Sequence, residues 1–427
     1  MSLTVALNTA VSGLLANQEA IAATSENIAN VNTENFSRRE ATFFTDAIPG
    51  QFAGVGVEIE RAGVDQFLLS AGFSSASDAS STQLIADALS RIEASLGAPG
   101  ENISFANELD AAFAAFTQAS AAPSSTAARA VAINALDNAF AAFNRTLDAI
   151  DAETLAAADQ LDTQTARANT LLEELFNLNQ IVSQSDGAAD QINARLSELS
   201  SLIDINVTRN DDGVVSVSTG NGSFLVNGGG FTTLAADTIG GVVNGGSLGG
   251  LVALINTDLP ALRGLVSDTA SAIAAEINEV YSGNAQAGTT GPGALPLIVA
   301  NNGLFGVNEA IVADPDQLAI ARPEAGGVGG INDGSGAAAI AALATGNAAG
   351  DVASAVAQLG AASQAASSAA ASASTFAAEI DGRISSQSGV NLDEELANLI
   401  QLQRSFGANA RVITAVDELY QTLLGIL

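Results

Sequence analysis

The chain holds 427 residues, 46 acidic against 14 basic, with a formal net charge of -32 and neither histidine nor cysteine. Every basic residue is an arginine, so a run of phosphates cannot be neutralised, and nucleic acid and anionic membrane surfaces are excluded as natural partners. The missing residue types also exclude disulfides, thiolate nucleophiles, Cys/His zinc sites and Ser-His-Asp triads, leaving carboxylate and oxygen-ligand chemistry.

The length allows roughly two to four domains. Apolar residues make up 48% of the chain, charged residues 14% and aromatics 4%, with no Trp. Side chains this small suit close helix packing better than an aromatic-lined pocket. Residues 1–37 contain no basic residue and their apolar positions are spaced, unlike a cleaved signal peptide. No run of about 18 consecutive apolar residues occurs, so no membrane insertion is expected.

In chain order, residues 3–30 predict one long helix. Leu7, Val11, Leu14, Gln18, Ile21, Ser25 and Ile28 step by alternating fours and threes, the spacing of a coiled-coil seam. Turn formers from Asn30 to Asn35 end it. Residues 41–70 read as partly extended, with Val55, Val57 and Ile59 alternating against Gly56, Glu58 and Glu60. A helix with Leu84, Ala88, Leu89 and Ile92 follows and ends near Gly97-Ala98-Pro99-Gly100. Another runs from Ile103 to Ala119, with Phe105, Leu109, Phe113 and Phe116 on one side. From Thr126 to about Ser185 there is neither Pro nor Gly, which predicts a helix of about 90 Å at 1.5 Å per residue. Ile192, Leu196, Leu199 and Ile203 mark a shorter helix after Asp186-Gly187.

Residues 206–250 change to Val, Gly, Ser, Asn and Thr, with Asp211-Asp212-Gly213 and Gly220-Asn221-Gly222 as hairpin turns, and predict a small β insertion. Residues 251–281 return to helix, interrupted at Pro260, and 282–350 read as irregular. Two helices close the chain, about 351–388 and 392–425, the second capped by Asn391 with Glu394 as capping-box partner. In the last helix Leu399, Leu402, Phe406, Asn409, Ile413, Val416, Tyr420 and Leu423 again alternate three and four. First and last helices therefore share a seam spacing, and each needs a partner to bury it.

Carboxylates are plentiful without forming a recognisable site. Asp393-Glu394-Glu395 reads as a negative first helical turn stabilised by the dipole. Asp314, Asp316 and Asp211-Asp212-Gly213 lack the spacing of a calcium loop. The Gly-rich runs at 228–230, 245–250 and 326–330 cannot be phosphate loops without lysine. Arg38-Arg39, the adjacent basic pair, suits a salt bridge to a neighbour or a solvated turn. No catalytic, cofactor-binding or metal residue is expected. A carboxylate-based glycan hydrolase or an adhesin remains open at this level.

The two ends resemble the bacterial flagellar hook-filament junction proteins (hook-associated protein 1), within the wider rod, hook and junction group. The N-terminal likeness rests on Leu7-Asn8-Thr9-Ala10-Val11-Ser12-Gly13-Leu14, Thr24-Ser25-Glu26-Asn27-Ile28-Ala29-Asn30-Val31-Asn32-Thr33 and Phe36-Ser37-Arg38-Arg39. The C-terminal likeness rests on Gly389-Val390-Asn391-Leu392-Asp393-Glu394-Glu395, Ala408-Asn409-Ala410-Arg411-Val412-Ile413 and Asp417-Glu418-Leu419-Tyr420. Gly54-Val55-Gly56-Val57, the long helical stretch and Gly245-Gly246-Ser247-Leu248-Gly249-Gly250-Leu251 with Ala274-Ala275-Glu276-Ile277-Asn278 resemble the junction protein more than a hook subunit. Phe36 stands where the family usually has Tyr, and Glu34-Asn35 where Pro-Gly is common.

The resemblance implies a mainly α, multi-domain elongated helical rod with terminal coiled-coil-like helices. Its domains would be 1–40 with 385–427 innermost, 41–205 with 251–384 as a long-helix bundle, and 206–250 as a small β domain. It implies a non-enzymatic structural subunit of the extracellular flagellum, exported unfolded with the help of an export chaperone. Its partners would be copies of itself in a ring or helical layer, the hook subunit on one side, and a second junction protein and the filament on the other. The assembly seam expected from the stripes comprises Leu7, Val11, Leu14, Ile21, Ile28, Leu399, Phe406, Ile413 and Tyr420. Another rod or hook subunit is the nearest alternative.

Overall fold

The computed structural model describes residues 3–33, 36–48, 51–95, 104–184, 187–286, 288–289, 295–322 and 327–426. In order, these form α1 (Leu3–Ala29), β1 (Arg39–Ile48), β2 (Gln51–Arg61), α2 (Gln66–Ser95), α3 (Phe105–Ala121), α4 (Thr126–Asn179) and α5 (Ala188–Leu202). Then come β3 (Ile205–Arg209), β4 (Val215–Thr219), β5 (Phe224–Asn227), β6 (Gly230–Phe231), α6 (Gly246–Ala253) and α7 (Leu259–Ser282). The rest is β7 (Ile298–Asn301), β8 (Leu304–Val307), α8 (Glu309–Ala313), α9 (Ser335–Ala341), α10 (Asn347–Ser388) and α11 (Leu392–Ile426). The protein is mainly α, with small antiparallel sheets.

Local chemistry sets most of these boundaries. Ser104 caps α3 by accepting the Asn107 amide at 3.2 Å, and Asn391 caps α11 by accepting the Asp393 amide at 3.0 Å. The expected capping-box return from Glu394 is replaced: its carboxylate lies 3.6 Å from Arg38. Pro260 does not break the 251–281 helix. A five-residue π-type turn over Leu254–Asp258 joins α6 to α7 and absorbs the missing N–H and the ring's bulk against the preceding turn. The proline-free run from Thr126 stays helical for 54 residues and ends at Asn179. The expected turns at Glu34-Asn35 and Gly97-Ala98-Pro99-Gly100, and Asp186, lie outside the described residues.

Residues 41–70 are a hairpin followed by the start of α2. β1 and β2 pair antiparallel from Arg39↔Arg61, with a bulge at Asp46/Ala47 opposite Gly54. The stretch 282–350, expected to be irregular, holds the β7–β8 hairpin, α8 and α9. Its tight turn is Asn302-Gly303, both at positive φ (51° and 83°), the conformation that suits a two-residue hairpin loop.

Contacts sort the chain into two compact units. One comprises Met1–Asp78, Ala168–Thr233 and Ser374–Leu427; the other comprises Ala79–Arg167 and Leu234–Ala373. These boundaries differ from the three segments expected. In particular, β3–β6 group with α1 and α11 rather than standing alone.

The second unit has a continuous apolar core. Phe105, Phe113, Phe116, Phe140, Phe143 and Tyr281 are enclosed, and Phe105 stacks on Phe143 at 4.3 Å between centroids. Each such ring contributes about 1.5–3 kcal/mol by burial. The first unit packs α5 and its sheet through Ile192, Leu196, Ile205, Val215, Val217 and Leu225, all buried, with Phe176 against Phe231 at 5.8 Å.

Candidate assembly site

The stripes singled out in the sequence lie on α1 and α11, which pack antiparallel within the first unit. Thr4 Oγ1 meets the Tyr420 hydroxyl at 3.2 Å, and Asn27 donates to Glu395 Oε2 at 3.1 Å. Between them, a Cβ built on Gly13 would lie 3.0 Å from the Asn409 amide nitrogen, so glycine allows the close approach. The buried face of α1 consists of small residues: Ala10, Gly13, Asn17, Ala20, Thr24 and Asn27, flanked by Ala16 and Ala23. These also step by three and four.

The large apolar stripe of α1 occupies a different face. Leu7, Leu14, Ile21 and Ile28 are half-buried and Val11 is exposed, while Leu15 beside them is 53% exposed. On α11, Leu399, Phe406, Ile413 and Tyr420 are half-buried and Val416 is buried, on the side that Asn409 and Tyr420 present to α1. The free side of α11 exposes Leu396, Ile400, Val412 and Leu419, and Leu424 near the helix end is 72% exposed. The structure thus separates the nine predicted residues into two sets. On α11, Tyr420 meets α1 and Leu399, Phe406 and Ile413 share its helix face, while the α1 members flank that contact.

Sequence reasoning missed the polar locks around this pair. Asn27 uses its whole amide: Oδ1 accepts the Arg39 amide at 2.7 Å, and Nδ2 donates to the Arg39 carbonyl at 2.9 Å as well as to Glu395. Glu395, read from the sequence as part of a negative first helical turn, is 3% exposed. The Arg38 amide donates to the Ser388 carbonyl at 2.9 Å, which holds the start of β1 against the end of α10. Gly54, at φ 148°, sits so close to Ser12 that a side chain there would collide with its hydroxyl.

The hairpin base carries like charges opposite one another: Arg39 faces Arg61 and Glu40 faces Glu60. Such pairs repel. Asp190 at the start of α5 relieves the first, with Oδ2 3.2 Å from Arg39 Nη2 and Oδ1 3.4 Å from Arg61 Nε. Arg38 reaches Glu40 on the other face. A cleft of about 810 Å³ beside the hairpin is lined by Thr33, Phe36, Arg38, Asp381, Gln387 and Glu394 among others.

Among the described residues, no group of three or more acidic residues is arranged to hold a metal ion. By length and composition alone, one helical stretch between Ser335 and Gly425 is apolar enough to cross a membrane. Alanine-rich α10 accounts for much of this stretch, and serine and glutamine interrupt it.

Comparison with known proteins adds three matched segments. Residues 89–293 match the model of the flagellar hook-associated protein FlgK helical domain. Residues 382–426 match the C-terminal model of the flagellar basal body rod FlgEFG proteins, and residues 7–36 that of the flagella basal body rod proteins. A comparison with curated protein sequences returned no match. Among solved structures, the flagellar hook junction protein FlgK from Burkholderia pseudomallei is similar in fold, with a TM-score of 0.57 at 13% identity. The alignment covers 75% of this chain and 99% of that one.

Proposed function

We propose how this chain, a structural protein of the flagellar hook-associated family at the hook-filament junction, makes its joints. As a flagellar axial subunit it works by self-assembly beside neighbouring flagellar proteins, outside the cell. The α1–α11 pair is the joining element. Its small-residue face closes the pair within one copy, and its large apolar stripes meet neighbouring subunits. The observation that carries this is the exposure of Val11, Leu15, Ile400, Val412 and Leu419 on helices that already have a partner on another face. Leaving such stripes in water forfeits about 25 cal/mol per Å² that a neighbour recovers.

In this reading copies of the chain form a ring or helical layer. The hook subunit lies on one side, the second junction protein and filament on the other, and an export chaperone escorts the unfolded chain. The work is mechanical and uses no catalytic group.

Two substitutions test the assignment of faces. Ile21→Glu is expected to abolish incorporation at the junction while the secreted chain keeps its helical circular dichroism. Phe406→Glu, on the side of α11 turned to α1, is expected to lower helicity and thermal stability of the isolated chain as well. Functional filaments built by the Ile21→Glu chain would refute the outward role of the α1 stripe.

A further inference from the structure

In a chain with 46 acidic and 14 basic residues, arginines are expected to be surrounded by carboxylates. One place departs from this. Arg39 and Arg61 converge on Asp190, and Arg209 lies within electrostatic range of Asp190 and Arg61. Arg39 is nine-tenths enclosed, with 10% of its side chain exposed, and shares Nη2 between Asp190 at 3.2 Å and the half-exposed Glu26 at 3.4 Å. Arg61 approaches Asp190 through Nε at 3.4 Å without hydrogen-bond alignment. Arg209 donates to Asn193 at 2.7 Å and makes no ion pair within 4.0 Å among the described residues. Arg39 Nε and Arg61 Nε and Nη2 are enclosed without a hydrogen-bond acceptor, and Asp190 Oδ1, beside Arg61 Nε, is enclosed without a donor.

Enclosed guanidinium donors without acceptors are costly, and a planar fork of this kind matches a carboxylate or a tetrahedral oxyanion. Access is from the side of Arg209, which is exposed, and of Arg61, whose side chain is 30% exposed. We propose that Arg39, Arg61 and Arg209 form an oxyanion site that takes one further negatively charged oxygen group beyond Asp190. Within the polymer a carboxylate of a neighbouring copy supplies that group, since any neighbour presents an acidic surface; this part rests on the assembly role above. A free inorganic oxyanion has the same chemistry.

The test uses the full chain and sodium sulfate as probe. At matched ionic strength, sulfate is expected to raise the melting temperature above that in chloride. Arg61→Gln and Arg209→Gln are each expected to weaken sulfate binding about tenfold, the worth of one charge-assisted bond. Arg209 is exposed, so its variant tests the site without disturbing the fold. In cells, Arg209→Gln is expected to reduce incorporation at the junction, and sulfate to compete with subunit joining in vitro. Sulfate binding without such competition assigns the site to a free oxyanion. Impaired joining without sulfate binding assigns it to the neighbour's carboxylate. Equal melting in sulfate and chloride together with normal incorporation of Arg209→Gln overturns the proposal, as does sulfate binding that survives both substitutions. Absence of the wild-type chain from the junction overturns the assembly role and leaves the sulfate result standing.

Discussion

Four asparagines do the same work in different parts of the chain. Asn27, Asn144, Asn179 and Asn278 sit on helices, and each pairs both ends of its amide with the N–H and C=O of one strand residue. Their partners are Arg39, Phe305, Val215 and Ile298. The side-chain amide replaces a neighbouring strand's peptide group, so a short sheet is fixed to a helix without an unpaired polar atom. Asn179 is a stringent case: it is buried and its two bonds to Val215 are both 2.9 Å. Asn179→Asp replaces the donor with a second acceptor facing the Val215 carbonyl and is expected to cost about 2–4 kcal/mol. Chemical denaturation of the full chain, compared with Asn144→Asp, checks this. Asn27 and Asn278 were visible in the sequence as members of the quoted motifs, though not as locks between helix and strand. Asn144 and Asn179 were not, since an isolated asparagine in a helical pattern signals only weak propensity and its strand partner lies 161 or 36 residues away.

At the scale of elements, periodicity located the helices well and their faces less well. Alternating fours and threes mark where a helix runs, and α1, α4, α10 and α11 all formed close to the expected spans. A stripe of Leu and Ile draws attention because hydropathy weights size. The face that α1 turns inward is instead made of Ala, Gly, Thr and Asn, which let two backbones approach. Gly13→Leu is therefore expected to destabilise the α1–α11 pair by about 1–3 kcal/mol, with earlier proteolysis of residues 3–30 as the readout. Gly13→Ala should be milder, because the contacting atom is the movable end of Asn409. Pro260 shows the reverse error: a residue that ordinarily stops a helix is accommodated by one widened turn, which no local pattern announces.

At the scale of the whole molecule, the charge of -32 gives stability a dependence on salt and acid. Screening the carboxylates is expected to raise the melting temperature between low and moderate NaCl. Individual groups act in opposite directions on acidification. The Ser335 hydroxyl, first among its partners, holds Asp333 below the usual carboxylate range, with the Ser335 and Arg322 amides adding to it. Its stabilising effect is present above 3.8 and is lost as pH falls through the lower folded value. Burial raises Asp258, whose penalty at neutral pH is relieved as pH falls through its elevated value towards 3.8. Asp258→Asn should thus melt higher than the wild type at pH 7 and lose that advantage near pH 3. Asp333→Asn should melt lower at pH 7 and converge with the wild type in acid.

The hairpin of β1 and β2 also fixes an order of events. Its strands are neighbours in sequence, yet its base opposes Arg39 to Arg61, and the carboxylate that reconciles them stands 151 residues beyond Arg39. The amide that ties α1 to β1 is itself completed by Glu395, 368 residues after Asn27. A chain synthesised from its N-terminus therefore presents α1 and the hairpin long before their counter-charges arrive. The α1–α11 pair matures last, when α11 closes the loop back to α1. The α1–α11 pair therefore cannot exist until the last helix of the chain is present.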